Sequence, residues 1–338
     1  MKLHLVSIFV IFSAYCQPSD FLVVNYSKAD SVAAMYPGEN IQNLPVLVHG
    51  LTAELSTDVE KFRAIYTWVA THIENDYRGF VRTVGKRTRY SKNRAKYLEW
   101  NDNYLPKMFK RLIRERKTAC TGYAYLVREM AHLAGIKCKI INGYGRTAAT
   151  NVHPKSLPNH SWNAVQLMGN WYLCDATWSA GRVVFDEDVP RFQFDYSDGY
   201  FLAPPKLFIK NHYPIDERWQ LVGKKISFEE FLNGPLVYKG AFEKRIRPLV
   251  PKTMFLEIGT KRPLSIEFQA NEDLANAHIT LQLVKNDLSK ELQPTITKTG
   301  NNYVVEHVFV KKGTYDVHLM IDGKAIATYV VKVVKSRA

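Results

Sequence analysis

Apolar residues return at helical spacing at Val59, Phe62, Ile65, Tyr66, Val69 and Ile73. One face of that segment is therefore apolar and must bury, while Ser56 or Thr57 can cap the orphan amides at its start. A second helical stripe, Leu126, Met130 and Leu133 with Ala134, stops at Gly135, a residue suited to ending a helix. The period then changes. Lys137 to Tyr144 and His160 to Leu167 alternate or run apolar as strands do, and Met168-Gly169-Asn170-Trp171 is a tight hairpin turn into a third strand ending at Asp175. Pro106 to Arg116 reads as a short helix, Asp76-Tyr77-Arg78-Gly79 as a turn, and Thr147 to Lys155 as a polar loop of the kind that often sets specificity. Residues 17–55 show no steady period.

After about residue 245 the pattern becomes β-rich. Short runs recur at Met254–Ile258, Leu264–Gln269, His278–Val284, Tyr303–Val310, Tyr315–Ile321 and Ile326–Val334. Turns at Asn271-Glu272-Asp273, Gly300-Asn301-Asn302 and Asp322-Gly323-Lys324 divide them, which predicts an antiparallel β-sandwich over 246–338. His278, His307 and His318 each sit alone in a strand pattern and read as packing or surface residues.

The helix that ends at Gly135 begins at Cys120, in Thr118-Ala119-Cys120-Thr121-Gly122-Tyr123-Ala124. A helix N-terminus and a neighbouring imidazole both lower a thiol pKa, so a cysteine at that position suits nucleophilic chemistry. His160 starts one strand and Asp175 ends the next, so the hairpin can set Asp175 against one ring nitrogen of His160 and leave the other for Cys120. His153 lies in the polar loop and reads as a surface residue. His212, beside Pro214, reads as part of a structural turn.

Three segments resemble the transglutaminase-like superfamily: Cys120-Thr121-Gly122-Tyr123-Ala124, His160-Ser161-Trp162-Asn163 and Trp171-Tyr172-Leu173-Cys174-Asp175-Ala176-Thr177-Trp178. Tyr200-Phe201-Leu202, His212-Tyr213-Pro214 and Trp219-Gln220-Leu221 are similar to its kyphoscoliosis peptidase branch, and the resemblance covers roughly 50 to 245. It implies an α+β, papain-like transglutaminase core, with the cysteine on a helix N-terminus packed on an antiparallel sheet, followed here by an all-β immunoglobulin-like sandwich. It also implies Cys120 as nucleophile, His160 as base and Asp175 as orienting acid. The amide of Cys120 is one oxyanion donor; Trp68 and Gln42 are candidates for the second. Trp162, Asn163 and Trp178 flank the triad as substrate-pocket candidates, with packing of the sheet as their plainer role. The implied activities include peptide hydrolysis, glutamine–lysine crosslinking and deamidation.

Composition changes this picture at two points. Of the 338 residues, 77–117 hold fourteen Lys or Arg against three acids, within a chain of formal charge +14. Aromatic residues are interleaved in this basic insertion. Arg87, Arg89 and Lys92 are candidate anion contacts for an acidic polysaccharide or anionic cell-envelope surface, ranked above nucleic acid, and a solvated insertion is the plain alternative. Lys2, the apolar run Leu5 to Ala14 and a small-residue site before Gln17 predict a cleaved signal peptide over 1–16 and export. No later segment has the length of a membrane helix. Cys138 and Cys174 read as buried apolar residues rather than a disulfide pair. No motif calls for zinc, calcium or a cofactor.

The expected organisation is a lead-in over 17–55, a catalytic domain over 56–245 and the sandwich. The expected function is an exported cysteine acyl-transfer enzyme, first a peptidase acting on protein or peptide. A crosslinking transglutaminase and a non-catalytic scaffold are the alternatives.

Overall fold

The computed structural model describes residues 21 and 23–335, apart from 151, 188 and 287; residues 1–16, expected to be a signal peptide, lie outside them. The lead-in is built rather than loose. Helices α1 (Ser27–Met35) and α2 (Leu44–Thr52) pack on α3 (Asp58–His72) through Ala29, Val32, Ala33, Leu47, Val48 and Leu51. Thr57 and Glu60 close a reciprocal capping box at the start of α3. The expected apolar face of α3 is buried, but so are Arg63, Ala64, Thr67, Trp68 and Ala70, because α3 has neighbours all round. Arg63 is held by a two-point contact with Asp30 of α1 at 2.6 and 2.9 Å. Nine residues span too few turns to display a period, which is why α1 and α2 were illegible in sequence.

The basic insertion is a helical hairpin. Strand β1 (Glu74–Asn75) leads into α4 (Tyr77–Arg89) and α5 (Arg94–Glu115), and β2 (Lys117–Thr118) returns parallel to β1. Asp76 caps α4 at Gly79 N, 3.0 Å, and receives Arg111 of α5 at 2.7 Å, tying the base of the hairpin. The short helix expected from Pro106 is only the end of a 22-residue helix. Proline removes one intrahelical hydrogen bond, and Asp102, four residues earlier, is solvent-exposed, so water can take its carbonyl. Along the hairpin, cations of α4 lie over rings of α5: Arg82 over Tyr104 at 5.9 Å, Lys86 over Trp100 at 6.0 Å and Arg87 over Tyr97 at 6.0 Å. The interleaved aromatics therefore hold the two helices together.

Next comes α6 (Cys120–Leu133), ending before Gly135 at φ 77°. It is followed by β3 (Cys138–Gly145), β4 (His160–Leu167) and β5 (Asn170–Cys174), then α7 (Ala176–Ala180) and the hairpin β6 (Gly181–Asp186) with β7 (Val189–Phe194). A short α8 (Pro205–Phe208) precedes β8 (His212–Pro214). The sheet order is β5-β4-β3-β8, antiparallel throughout, with α6 packed on β3 and β4. Both residues of the β4–β5 loop have positive φ, Met168 at 48° and Gly169 at 82°, as a two-residue primed turn requires. Gly143 on β3 faces the backbone of β8 so closely that a Cβ there would meet Tyr213 O at 2.1 Å.

The connection α9 (Phe228–Asn233), β9 (Leu236–Val237) and α10 (Lys239–Glu243) leads to a β-sandwich. One sheet is formed by β10 (Ile246–Val250), β12 (Pro263–Ala270), β16 (Asn302–Val308) and β15 (Thr295–Thr299). The other runs β11 (Phe255–Gly259), β18 (Lys324–Val334), β17 (Gly313–Ile321), β13 (Ile279–Lys285) and β14 (Leu288–Leu292), with β9 added on β18. The six expected strands are all present. β14 and β15 carry mostly exposed residues and so lack alternation, and β11 joins β18 parallel rather than antiparallel. Asp322 and Gly323, φ 49° and 73°, make the expected hairpin turn.

The sandwich does not stand apart. Ile141, Trp162, Leu173, Phe208 and Phe242 form one continuous buried cluster with Ile246, Phe268, Leu281, Val305 and Tyr329. Among the described residues no helix is long and apolar enough to cross a membrane.

Candidate active site

Cys120 is the first residue of α6, after Ala119 in extended conformation with no side-chain cap. Its side chain is nearly covered, 8% exposed, and lines a cleft of about 470 Å3. Gly122 is required there, since a Cβ would lie 1.9 Å from Oγ1 of the buried Thr118. That contact lets the turn bearing the cysteine press against β2.

His160 Nε2 lies 2.6 Å from Asp175 Oδ2, and the same imidazole lies beside Cys120 in the wall of the cleft, close enough to act on its thiol. Trp178 stacks on the ring, centroids 5.0 Å apart and 27° between planes. Asp175 is fully buried and caps α7: Oδ1 accepts from Thr177 N at 2.8 Å and Trp178 N at 3.2 Å. The three residues expected to cooperate are thus brought together, with the imidazole between thiol and carboxylate.

Electrostatics follow from this arrangement. Burial alone would drive His160 toward the neutral form, but the charge and hydrogen bond of Asp175, with the thiol, outweigh it and raise its pKa to about 10. Burial likewise opposes ionisation of Cys120; the hydrogen bond and charge of His160, aided by the Ser161 backbone, overcome it and hold the thiol below its ordinary value. Burial works against the Asp175 carboxylate too, yet His160 and His212 keep it well below the usual range. The shifts of Cys120 and His160 both run in the direction that favours a thiolate beside an imidazolium. The two other cysteines among the described residues contrast with Cys120: both are buried free thiols, Cys138 pushed by burial up to about 12 and Cys174 also well above its ordinary value.

His212 is more than the structural turn residue that its neighbours in sequence suggest. In the structure it is completely buried, and its Nε2 lies 3.0 Å from Asp175 Oδ2, the oxygen that also receives His160. Phe208 stacks on it at 4.0 Å. Burial lowers its pKa to about 4 against the partial support of Asp175, so the ring is neutral and donates from Nε2. Asn211 Oδ1 lies 2.6 Å from Nδ1, and Asn211 Nδ2 has no partner. A neutral His212 has only a lone pair at Nδ1, which fits an amide turned with its N–H group toward the ring. His160, Asp175 and His212 present possible ligand atoms within 4.8 Å of one another. Both Nε2 atoms meet the same carboxylate oxygen, at 2.6 and 3.0 Å. As placed, the trio forms a hydrogen-bond network centred on Asp175.

Several expected site residues lie elsewhere. Trp68 is wholly buried in α3 and donates its indole N–H to Tyr36 O at 2.9 Å, while Gln42 is exposed on the short 3-10 turn Gly38–Gln42; neither lines the cleft. Trp162 is buried against Phe208 and His212. Asn163 joins α6 to the sheet through Ala124 O at 2.9 Å and Lys139 O at 3.3 Å, so both residues pack rather than contact substrate. Trp178 does line the cleft. Arg87 donates to Pro158 O, Arg89 lies over Tyr90, and Lys92 is exposed in the turn of the hairpin. The side chain that sequence reasoning missed is Asn75. Pairing of β1 with β2 sets it beside Thr118, two residues before Cys120, and it lines the cleft. A lone asparagine outside any motif carries no sequence signal.

The family model for the transglutaminase-like superfamily matches residues 46–176. Human kyphoscoliosis peptidase is 31% identical over 278 residues, covering 80% of this chain and 39% of that protein. Hillarin of Drosophila melanogaster is 28% identical, covering 67% of this chain and 26% of the relative. The Lim and transglutaminase domain protein ltd-1 of Caenorhabditis elegans is 22% identical, covering 78% and 35%. The chain thus spans about two fifths or less of the length of the relatives it matches.

Proposed function

Because this chain belongs to the transglutaminase-like superfamily, in the branch of the kyphoscoliosis peptidases, we propose that it is a cysteine acyl-transfer enzyme, hydrolysing peptide or carboxamide bonds. The Cys120 thiolate attacks the carbonyl carbon, and the oxyanion accepts hydrogen bonds from the Cys120 amide and the Asn75 side chain. The His160 imidazolium gives its proton to the leaving amine, and a thioester remains on Cys120. His160, now neutral, takes a proton from water, which attacks the thioester and releases the acid. Asp175 holds the imidazole in register throughout. The observation that carries this reading is the contact of His160 with both the thiol and Asp175, with the thiol held below its ordinary pKa.

The test is alkylation by limiting iodoacetamide across pH 5 to 9, read by mass spectrometry with Cys120→Ala as control. Cys120 should label ahead of Cys138 and Cys174, with a midpoint well below the free value of about 8.5. Equal labelling of the three would leave the non-catalytic scaffold as the better reading. The nematode relative is named for a transglutaminase domain, which makes crosslinking the second activity to test. The products separate the two: hydrolysis shortens a substrate, whereas crosslinking incorporates a primary amine. Export is proposed on the Lys2 to Gln17 segment alone; a secreted product beginning at Gln17 on N-terminal sequencing would support it, and an intact Met1 would overturn it.

A further inference from the structure

The cleft at Cys120 does not end there. Phe80, Ala149, Thr150 and Asn159 line both it and a second cavity of about 500 Å3, which extends between α4 and the 147–159 loop. The two form one groove running from Arg182, past the thiol, to Arg87 and Lys155. Among the described residues no Asp or Glu lines either part. Arg182 and Lys155 are exposed, and Arg87 is fixed between the Tyr97 ring and Pro158 O. One wall belongs to the hairpin segment with fourteen cations and three acids. The floor between the charges is apolar, from Tyr77, Phe80 and Val84.

We propose that the groove takes an extended polypeptide segment whose reactive carbonyl is flanked on both sides by Asp or Glu, met by Arg182 on one side of Cys120 and by Lys155 on the other. This rests on the acyl-transfer reading of the cleft. Alternating rings and cations suit a chain with both apolar and acidic side chains, and the thiol at mid-groove needs an acyl carbon. A sulfated polysaccharide offers neither. Acidic residues gain twice in such a groove: cations attract them, and no wall carboxylate repels them.

The experiment uses the Cys120→Ala chain and fluorescein-labelled peptides of equal length carrying Glu, Gln or Lys around a common apolar centre, read by anisotropy. The Glu peptide should bind at least about tenfold tighter than the Gln peptide, with the advantage shrinking as salt rises. Arg182→Glu and Lys155→Glu should each remove most of that advantage, with circular dichroism unchanged. Equal binding of Glu and Gln peptides, or an advantage that survives both substitutions, overturns the proposal. So does tight binding of dextran sulfate with none of the Glu peptide. Because this variant cannot turn over, those failures leave the hydrolysis reading intact. If binding holds but the wild-type chain neither cleaves nor crosslinks the Glu peptide, the acyl-transfer reading fails while the groove's preference stands.

Discussion

Asp175 carries four hydrogen bonds on its two oxygens, from two histidines and two backbone amides. Replacing it by Asn would set an N–H group against donors and favour the wrong tautomer of His160, so Asp175→Asn should lower kcat about 100- to 10,000-fold, read by single-turnover acylation. Asn75→Ala should lower kcat about 100- to 1,000-fold with little change in KM, if its amide meets the oxyanion only as charge develops. His212 meets Asp175 at 3.0 Å, so in the proposed mechanism it would act as a positioning residue, and its mark would be a pH dependence. Its folded pKa of about 4 lies below the ordinary 6.5, so the unfolded chain binds more protons between those values. Its contribution to stability is present above pH 6.5 and is lost as pH falls through 4. His160 has the opposite sign: raised from 6.5 to about 10, it stabilises fully below 6.5, and this is lost as pH rises through 10. Urea unfolding of His212→Asn, which keeps a donor for Asp175 but does not titrate, should decline less between pH 6.5 and 4 than the parent. An unchanged decline would deny His212 that role.

At the scale of elements, the site depends on how closely β3 and β8 approach. The Cβ introduced by Gly143→Ala would meet the backbone of Tyr213 and Pro214 and the ring of Trp162, none of which can swing away freely. Overpacking of this kind costs about 1–3 kcal/mol. Because β8 also carries His212, activity should fall further than the lost stability explains; kcat measured well below the Tm would separate the two effects. A loss of stability with unchanged kcat would mean that the position of β8 is immaterial to the triad.

For the whole molecule, Phe208 stacks on His212 on one side and belongs to the cluster shared with the sandwich on the other. Strand β9 pairs with β18, and Gly240 of α10 faces the backbone of Ala325. The two domains should therefore unfold in one calorimetric transition. A chain ending at residue 245 would expose the apolar side chains now covered by the sandwich and should aggregate on light scattering. Two well-separated transitions, or a monomeric active fragment, would show that the shared cluster does not couple the domains.

The spacing along the chain carried the local parts of this protein. Thr57 and the face of α3, the stripe of α6, the Met168-Gly169 turn and the six alternating strands are set by neighbours a few residues apart, where propensity and period act directly. His160 and Asp175 were legible for the same reason, since a hairpin fixes their register. The structure alone decided what long-range pairing brings together. Asn75 reaches the cleft through a two-residue parallel bridge, His212 through a third neighbour of the sheet, and the groove through a helical hairpin folded over a distant loop. Trp68 and Gln42 lay upstream as donors should, but burial in a helical layer built by α1 and α2 turned one inward and left the other in solvent. Such placements depend on which surfaces exclude water against each other, and that is a property of the assembled core rather than of any window of residues.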